Sequence, residues 1–119
     1  MNTNSKHWFF TWYAYGEGKK LPNKLTLIKF FDYTCDYVCF QKEKGTTAKK
    51  LHWQGCLTLY GSRQSKKTVL SLFQERFKDI SGLTLSKTYS KDAAEAYVTK
   101  IETRVEGPFY AGKKNKFNE

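Results

Sequence analysis

Residues Leu51 to Tyr60, LHWQGCLTLY, read as a β-strand, because aromatic, aliphatic and Thr residues dominate and proline is absent. Successive side chains of a strand alternate between faces, so His52 and Gln54 emerge on the same side. Upstream, Asp36 to Glu43 (DYVCFQKE) has the same character, and the polar, basic stretch Lys44 to Lys50 separates the two. Together they predict an antiparallel hairpin. If Glu43 stands opposite His52, then Gln41 meets Gln54 and Cys39 meets Cys56, which gathers one polar sheet face. Cross-strand partners have Cβ atoms about 4.5–5.5 Å apart, close enough for Glu43, His52 and Gln54 to converge on one cation.

Working outward, Lys6 to Tyr13 (KHWFFTWY) predicts another strand, with Trp8, Phe10 and Trp12 on one face and His7, Phe9, Thr11 and Tyr13 on the other. Gly16 and Gly18 break the chain, and Asn23 is placed to cap a helix carrying Leu25, Leu27, Ile28 and Phe31. Ser65 opens a second helix with Val69, Leu72, Phe73 and Phe77 at helical spacing. Gly82 ends that region, and Leu83 to Tyr89 alternates as a fourth strand. Asp92 and Glu95 have the spacing of a capping box, which predicts a third helix running to about Ile101. The expected fold is α+β: a mostly antiparallel sheet of four to five strands with flanking helices. One domain spans residues 1–112, followed by a basic, frayed tail over 113–119.

With 119 residues, the chain is long enough for an apolar core. Lys and Arg number 21 against 11 acidic residues, a formal +10 that favours a polyanionic partner. Aromatic residues make up 17%, too many for a disordered basic tail. No apolar run is long enough to span a membrane, and no secretory signal pattern opens the chain. The three cysteines, Cys35, Cys39 and Cys56, form no CxxC pair, so a reducing compartment is expected, with no disulfide framework and no structural zinc.

A carboxylate, an imidazole and an amide oxygen form a hard-to-borderline donor set that suits Mg²⁺ or Mn²⁺. HxQ by itself equally describes a half-buried polar stretch of strand. A second feature is Tyr97 with Lys100, three residues apart and neighbours on one helix face. A tyrosine ordinarily titrates near pH 10, so a nucleophilic phenol needs a nearby cation or base. Lys100 suits the stabilisation of charge on a phenolate or on a phosphate. YxxK also occurs by chance in helices, where the Tyr is usually core.

The segments FTWY (Phe10 to Tyr13), HWQG (His52 to Gly55) and YVTK (Tyr97 to Lys100) resemble, in this order, the three motifs of the Rep proteins of circular single-stranded DNA viruses, circovirus-like and nanovirus-like, within the HUH endonuclease superfamily. Glu43, nine residues before His52, matches the acidic ligand upstream of the second motif. The stretch Ile101 to Gly112 is similar to the segment after the tyrosine motif in nanovirus and satellite Reps. The resemblance covers roughly Lys6 to Gly112. Two positions depart from it: Gln54 stands where the superfamily's name implies His, as in circovirus-like Reps, and Trp12-Tyr13 comes after Thr11 where Asn-type residues are common.

The resemblance implies the HUH, RRM-like fold and the nicking and rejoining of one DNA strand at a viral origin stem-loop, the start of rolling-circle replication in the host nucleus. Tyr97 would attack the scissile phosphorus and leave a 5′-phosphotyrosine and a free 3′-hydroxyl, with Lys100 assisting. Glu43, His52 and Gln54 would hold Mn²⁺ or Mg²⁺. Lys6, Arg63, Lys66, Lys67, Lys87 and the loop lysines Lys49 and Lys50 would serve DNA phosphates. Phe9, Tyr13, Trp53 or Tyr89 would stack on bases, and His7 would approach DNA beside Thr11. Such Reps continue into a helicase domain, absent here, through which any oligomerisation would run. Two other readings stand beside this one: a noncatalytic single-stranded nucleic-acid-binding module with an RRM-like sheet, and a plasmid or transposon HUH nickase.

Overall fold

Alternating strand residues and two capped amphipathic helices assemble around one sheet. The computed structural model describes residues 4–14, 20–45, 50–88 and 91–114. In chain order the elements are β1 (His7–Tyr13), α1 (Lys24–Thr34), β2 (Cys35–Lys44), β3 (Leu51–Leu59), α2 (Lys66–Arg76), β4 (Leu83–Lys87), α3 (Lys91–Val98) and β5 (Arg104–Ala111). The sheet runs β4-β1-β3-β2-β5 with every neighbouring pair antiparallel, so the fold is α+β. Asn23 accepts from the Leu25 N–H and Ser65 from the Thr68 N–H, the two expected caps.

The hairpin register is the expected one: Glu43 opposes His52, Gln41 opposes Gln54 and Cys39 opposes Cys56. On the other side of β3, Tyr13 opposes His52 and Thr11 opposes Gln54. The sheet therefore has two unlike faces. One carries Trp8, Phe10, Trp12, Phe40, Trp53 and Leu57 into a core shared with Phe30 and Phe31 of α1 and Phe73 of α2. Ring pairs such as Phe10–Phe31, Trp12–Phe73 and Phe40–Trp53 have centroids 5.3–5.7 Å apart, and such pairs add about 0.5–1.5 kcal/mol each beyond the area they bury. Gly55 is required by this packing: a Cβ there would lie 2.5 Å from two atoms of the Phe10 ring. The other face carries a smaller cluster, Cys39 and Cys56 under Ala94 and Val98 of α3, with Phe9, Tyr37 and Tyr110 against it.

Three expectations need correction. The segment after α3, not assigned as a strand from sequence, forms β5 at the sheet edge. Its Gly107-Pro108 disguises it, and the register shift between Phe40 and Lys42 accommodates a residue without an N–H. Helix α3 stops at Val98 rather than near Ile101. Of the tail expected over 113–119, residues 115–119 lie outside the described residues, and the N–H groups of Lys113 and Lys114 donate to the Cys35 and Asp36 carbonyls. The fourth strand ends at Lys87, and Tyr89 lies outside the described residues.

Candidate active site

Pleating and register bring His52 and Glu43 together on the α3 face, both nearly fully buried. The His52 Nδ1 lies 3.2 Å from the Lys50 carbonyl, which can only accept, so the ring hydrogen resides on Nδ1. Nε2 lies 3.4 Å from Glu43 Oε1. An imidazole nitrogen and a carboxylate at that separation are placed to share a cation, and the Lys100 ammonium lies 3.8 Å from the same oxygen. Among the described residues no three His, Cys, Asp or Glu side chains cluster as metal ligands, so any third protein ligand would be of another type. Gln54 fits: it is half-buried on the same face, and its amide makes no hydrogen bond among the described residues. The donor chemistry thus suits a hard divalent ion such as Mg²⁺ or Mn²⁺.

The facing amide, Gln41, is fully engaged. Its Nε2 donates to Glu43 Oε2 at 2.9 Å and to the Lys100 carbonyl at 2.8 Å, while its Oε1 accepts from Arg104 Nε at 3.0 Å. Thr103 Oγ1 donates to Glu43 Oε1 at 3.1 Å. The carboxylate is therefore aimed by two neutral donors, an outer shell of the kind that orients metal ligands. Arg104 Nη2 also donates to the Thr99 carbonyl. Side chains from β2 and β5 take the carbonyls beyond α3 that a longer helix would have satisfied itself, which accounts for its early end. Sequence reading missed Gln41, Thr103 and Arg104. The signal for Gln41 was its place two residues before Glu43, on the same face of the strand.

Tyr97 projects from the last turn of α3 and is 52% exposed. Its ring meets Phe9 edge-on at 5.9 Å. Lys100 lies past the helix end rather than on it, yet its Nζ sits 4.5 Å from the centre of the Tyr97 ring and 3.8 Å from Glu43 Oε1. One ammonium thereby links the phenol to the Glu43–His52 pair. The structure brings together Tyr97, Lys100, Glu43 and His52, with Gln54 beside them on the sheet.

Other titratable groups nearby are held inert. Burial pushes the Cys39 thiol up to about 12, so it stays protonated at neutral pH. Tyr37 is raised too, first by burial and then by donating its hydroxyl to Glu95 Oε2 at 2.8 Å. Glu95 thereby turns Oε2 toward the sheet, and the Asp92 side chain of the expected capping box lies outside the described residues.

The residues expected to meet DNA fall into distinct places. Tyr13 is 39% exposed, with its ring 4.7 Å from that of His52, and Thr11 stands half-buried opposite Gln54. Phe9 is half-buried beneath Tyr97, which makes it a support for that ring. Trp53 is a correction: it is 1% exposed in the α1–α2 core and donates its indole N–H to the Pro22 carbonyl, so no base can stack on it. Lys6, His7, Arg63 and Lys87 line one cleft at the far end of β1. Lys66 and Lys67 are exposed in the first turn of α2, and Lys50 is exposed beside β3. Lys49, like Tyr89, lies outside the described residues.

No protein-family model matches the chain, and no curated protein is similar to it.

Proposed function

We propose that this chain is an HUH-type, RRM-like nuclease domain that nicks and rejoins single-stranded DNA, and that its target is the origin stem-loop of a circular single-stranded DNA virus. One observation carries the reading: an exposed tyrosine joined through Lys100 to a buried Glu43–His52 pair placed to share a cation. Tyr97 Oη attacks the phosphorus, a phosphotyrosine bond forms to the 5′ side, the P–O3′ bond breaks, and the phenolic proton leaves as the 3′-oxygen gains one. Attack by a 3′-hydroxyl reverses these changes and rejoins the strand. Mn²⁺ or Mg²⁺ held by Glu43, His52 and Gln54 would supply charge stabilisation at the phosphate oxygens.

The chain's own side chains set up the attack. Phe9 holds the Tyr97 ring from below, and the Lys100 ammonium favours negative charge developing on the phenolic oxygen or the phosphate. Gln41 and Arg104 tie the segment after α3 to the strand bearing Glu43, so nucleophile and acid are positioned by one hydrogen-bonded frame. A noncatalytic sheet-face binder is less well supported, because α3 covers Cys39 and Cys56 in the middle of that face and Trp53 points the other way.

The test is incubation of the chain with a random-sequence pool of single-stranded DNA and Mn²⁺. The expected result is shortened strands plus a denaturation-resistant protein–DNA adduct, with the tyrosyl peptide at Tyr97. Salt-sensitive binding without any adduct would reduce the chain to a binder.

A further inference from the structure

At the end of the sheet where β1 begins and β3 and β4 end, Asn4, Ser5, Lys6, His7, Arg63, Lys87 and Thr88 enclose an open cleft of about 400 Å³. Backbone pairing holds its walls. Ser5 and Gln64 exchange N–H···O bonds of 2.9 and 3.0 Å, which sets Arg63 near Lys6, and the Thr88 N–H donates to the His7 carbonyl, which sets Lys87 on the other flank. Among the described residues the cleft has no carboxylate in its lining, and Lys6, Arg63 and Lys87 have no acidic partner. Three cations around one concave space repel one another and focus a positive potential, a field that an anion relieves.

Position gives the cleft its meaning. His7 shares a sheet face with Phe9, Thr11 and Tyr13, and Tyr13 opposes His52. Six strand steps of about 3.3 Å separate the two ends, roughly 20 Å. Between them, α3 covers β2 and β3 but leaves the half-buried Thr11 flanked by exposed Thr84 and Ser86 of β4, an uncharged polar track.

We infer that this cleft binds a backbone phosphate of the same DNA strand several nucleotides from the cleaved linkage, so that the strand crosses the β1–β4 half of the sheet face. The inference rests on the reading of the chain as a single-strand nickase. Lys6, Arg63 and Lys87 grip the phosphate sequence-independently, and the span to His52 sets which linkage reaches Tyr97.

Binding of labelled oligothymidines of graded length, measured by anisotropy across a salt series in a Tyr97→Phe background, tests it. Replacing Lys6, Arg63 and Lys87 by Gln should weaken binding of long oligomers about tenfold and flatten the log affinity against log salt slope by about 0.7 per phosphate lost. Oligomers too short to span both sites should show no such difference. The control is Lys29→Gln/Arg76→Gln, which removes two positive charges on the opposite side of the sheet, and it should leave the slope unchanged. Should the triple variant melt early, Arg63→Gln and Lys87→Gln are measured singly, and each should show part of the effect. A triple-variant slope equal to the control's, or a deficit that persists with short oligomers, overturns the inference. Adduct formation by Tyr97 with the random pool is read separately. An adduct with an unchanged slope sinks the cleft alone, whereas a changed slope without an adduct sinks the nickase reading and leaves the cleft a nucleic-acid site.

Discussion

The two faces of β3 are made by the same nine residues and serve opposite ends. Trp53, Gly55 and Leu57 enter a core of stacked and edge-packed rings under two eleven-residue helices. His52, Gln54 and Cys56 face a single eight-residue helix that seals only the thiol row and leaves the polar rows at its edge. A thickly covered face contributes stability, while a thinly covered one can keep donors buried yet within reach of a strand of DNA. On the proposed function, chemistry and cohesion are separated by one pleat, which predicts that substitutions on the two faces fail in different assays.

The largest effect is expected at Tyr97. Tyr97→Phe keeps the ring against Phe9 and should abolish the covalent adduct while the melting temperature and DNA binding hold. Adduct persisting in that variant would move the nucleophile elsewhere. Trp53→Ala should do the reverse, costing about 3–5 kcal/mol of stability in denaturant titration, with chemistry per folded molecule retained in single-turnover assays. A comparable loss of stability from both variants would erase the distinction between the faces.

Gln41 sharpens the comparison, since it is completely buried yet belongs to the reactive face. Gln41→Leu should raise the Mn²⁺ concentration needed for half-maximal cleavage about 10–100-fold, with excess Mn²⁺ restoring part of the rate and EDTA removing all of it. A loss that no metal concentration relieves would instead assign Gln41 to holding α3.

The smallest effect is shared by both faces. Burial lifts the thiols of Cys35, in the aromatic core, and Cys39, under α3, from 9.0 to about 12. The unfolded chain therefore releases these protons at lower pH than the folded one. Their contribution to stability is complete below pH 9 and is lost as pH rises from there toward 12, with Tyr37 and Tyr110 adding in the same direction at still higher pH. Melting curves should show a decline that begins above about pH 9 and is shallower in Cys35→Ala/Cys39→Ala. An identical decline in that variant would place the alkaline sensitivity in the tyrosines.

Much of the fold was legible in the chain. The density of aromatic, aliphatic and Thr residues in Lys6 to Tyr13 and Leu51 to Tyr60 announced β1 and β3, and Asn23 and Ser65 announced the starts of α1 and α2. Strand β5 was hidden, because Gly107-Pro108 interrupts its alternation and edge strands tolerate such residues. The register that sets Glu43 against His52 and Gln41 against Gln54 was readable because a hairpin needs only local pairing. Trp53 was misjudged for the opposite reason: an aromatic beside a motif looks available until the helices packed above it are known.

Local periodicity alone determined which residues share a face, since the strand pleat fixes that over two or three residues. Which face α1 and α2 would seal, where α3 would stop, and that Gln41, Thr103 and Arg104 would close around Glu43 were decided only by the assembled molecule. The Thr103 and Arg104 contacts join residues about sixty positions apart in the chain. Their partners are chosen by packing and by the need to satisfy buried carbonyls and carboxylates, and no short stretch of sequence carries that information.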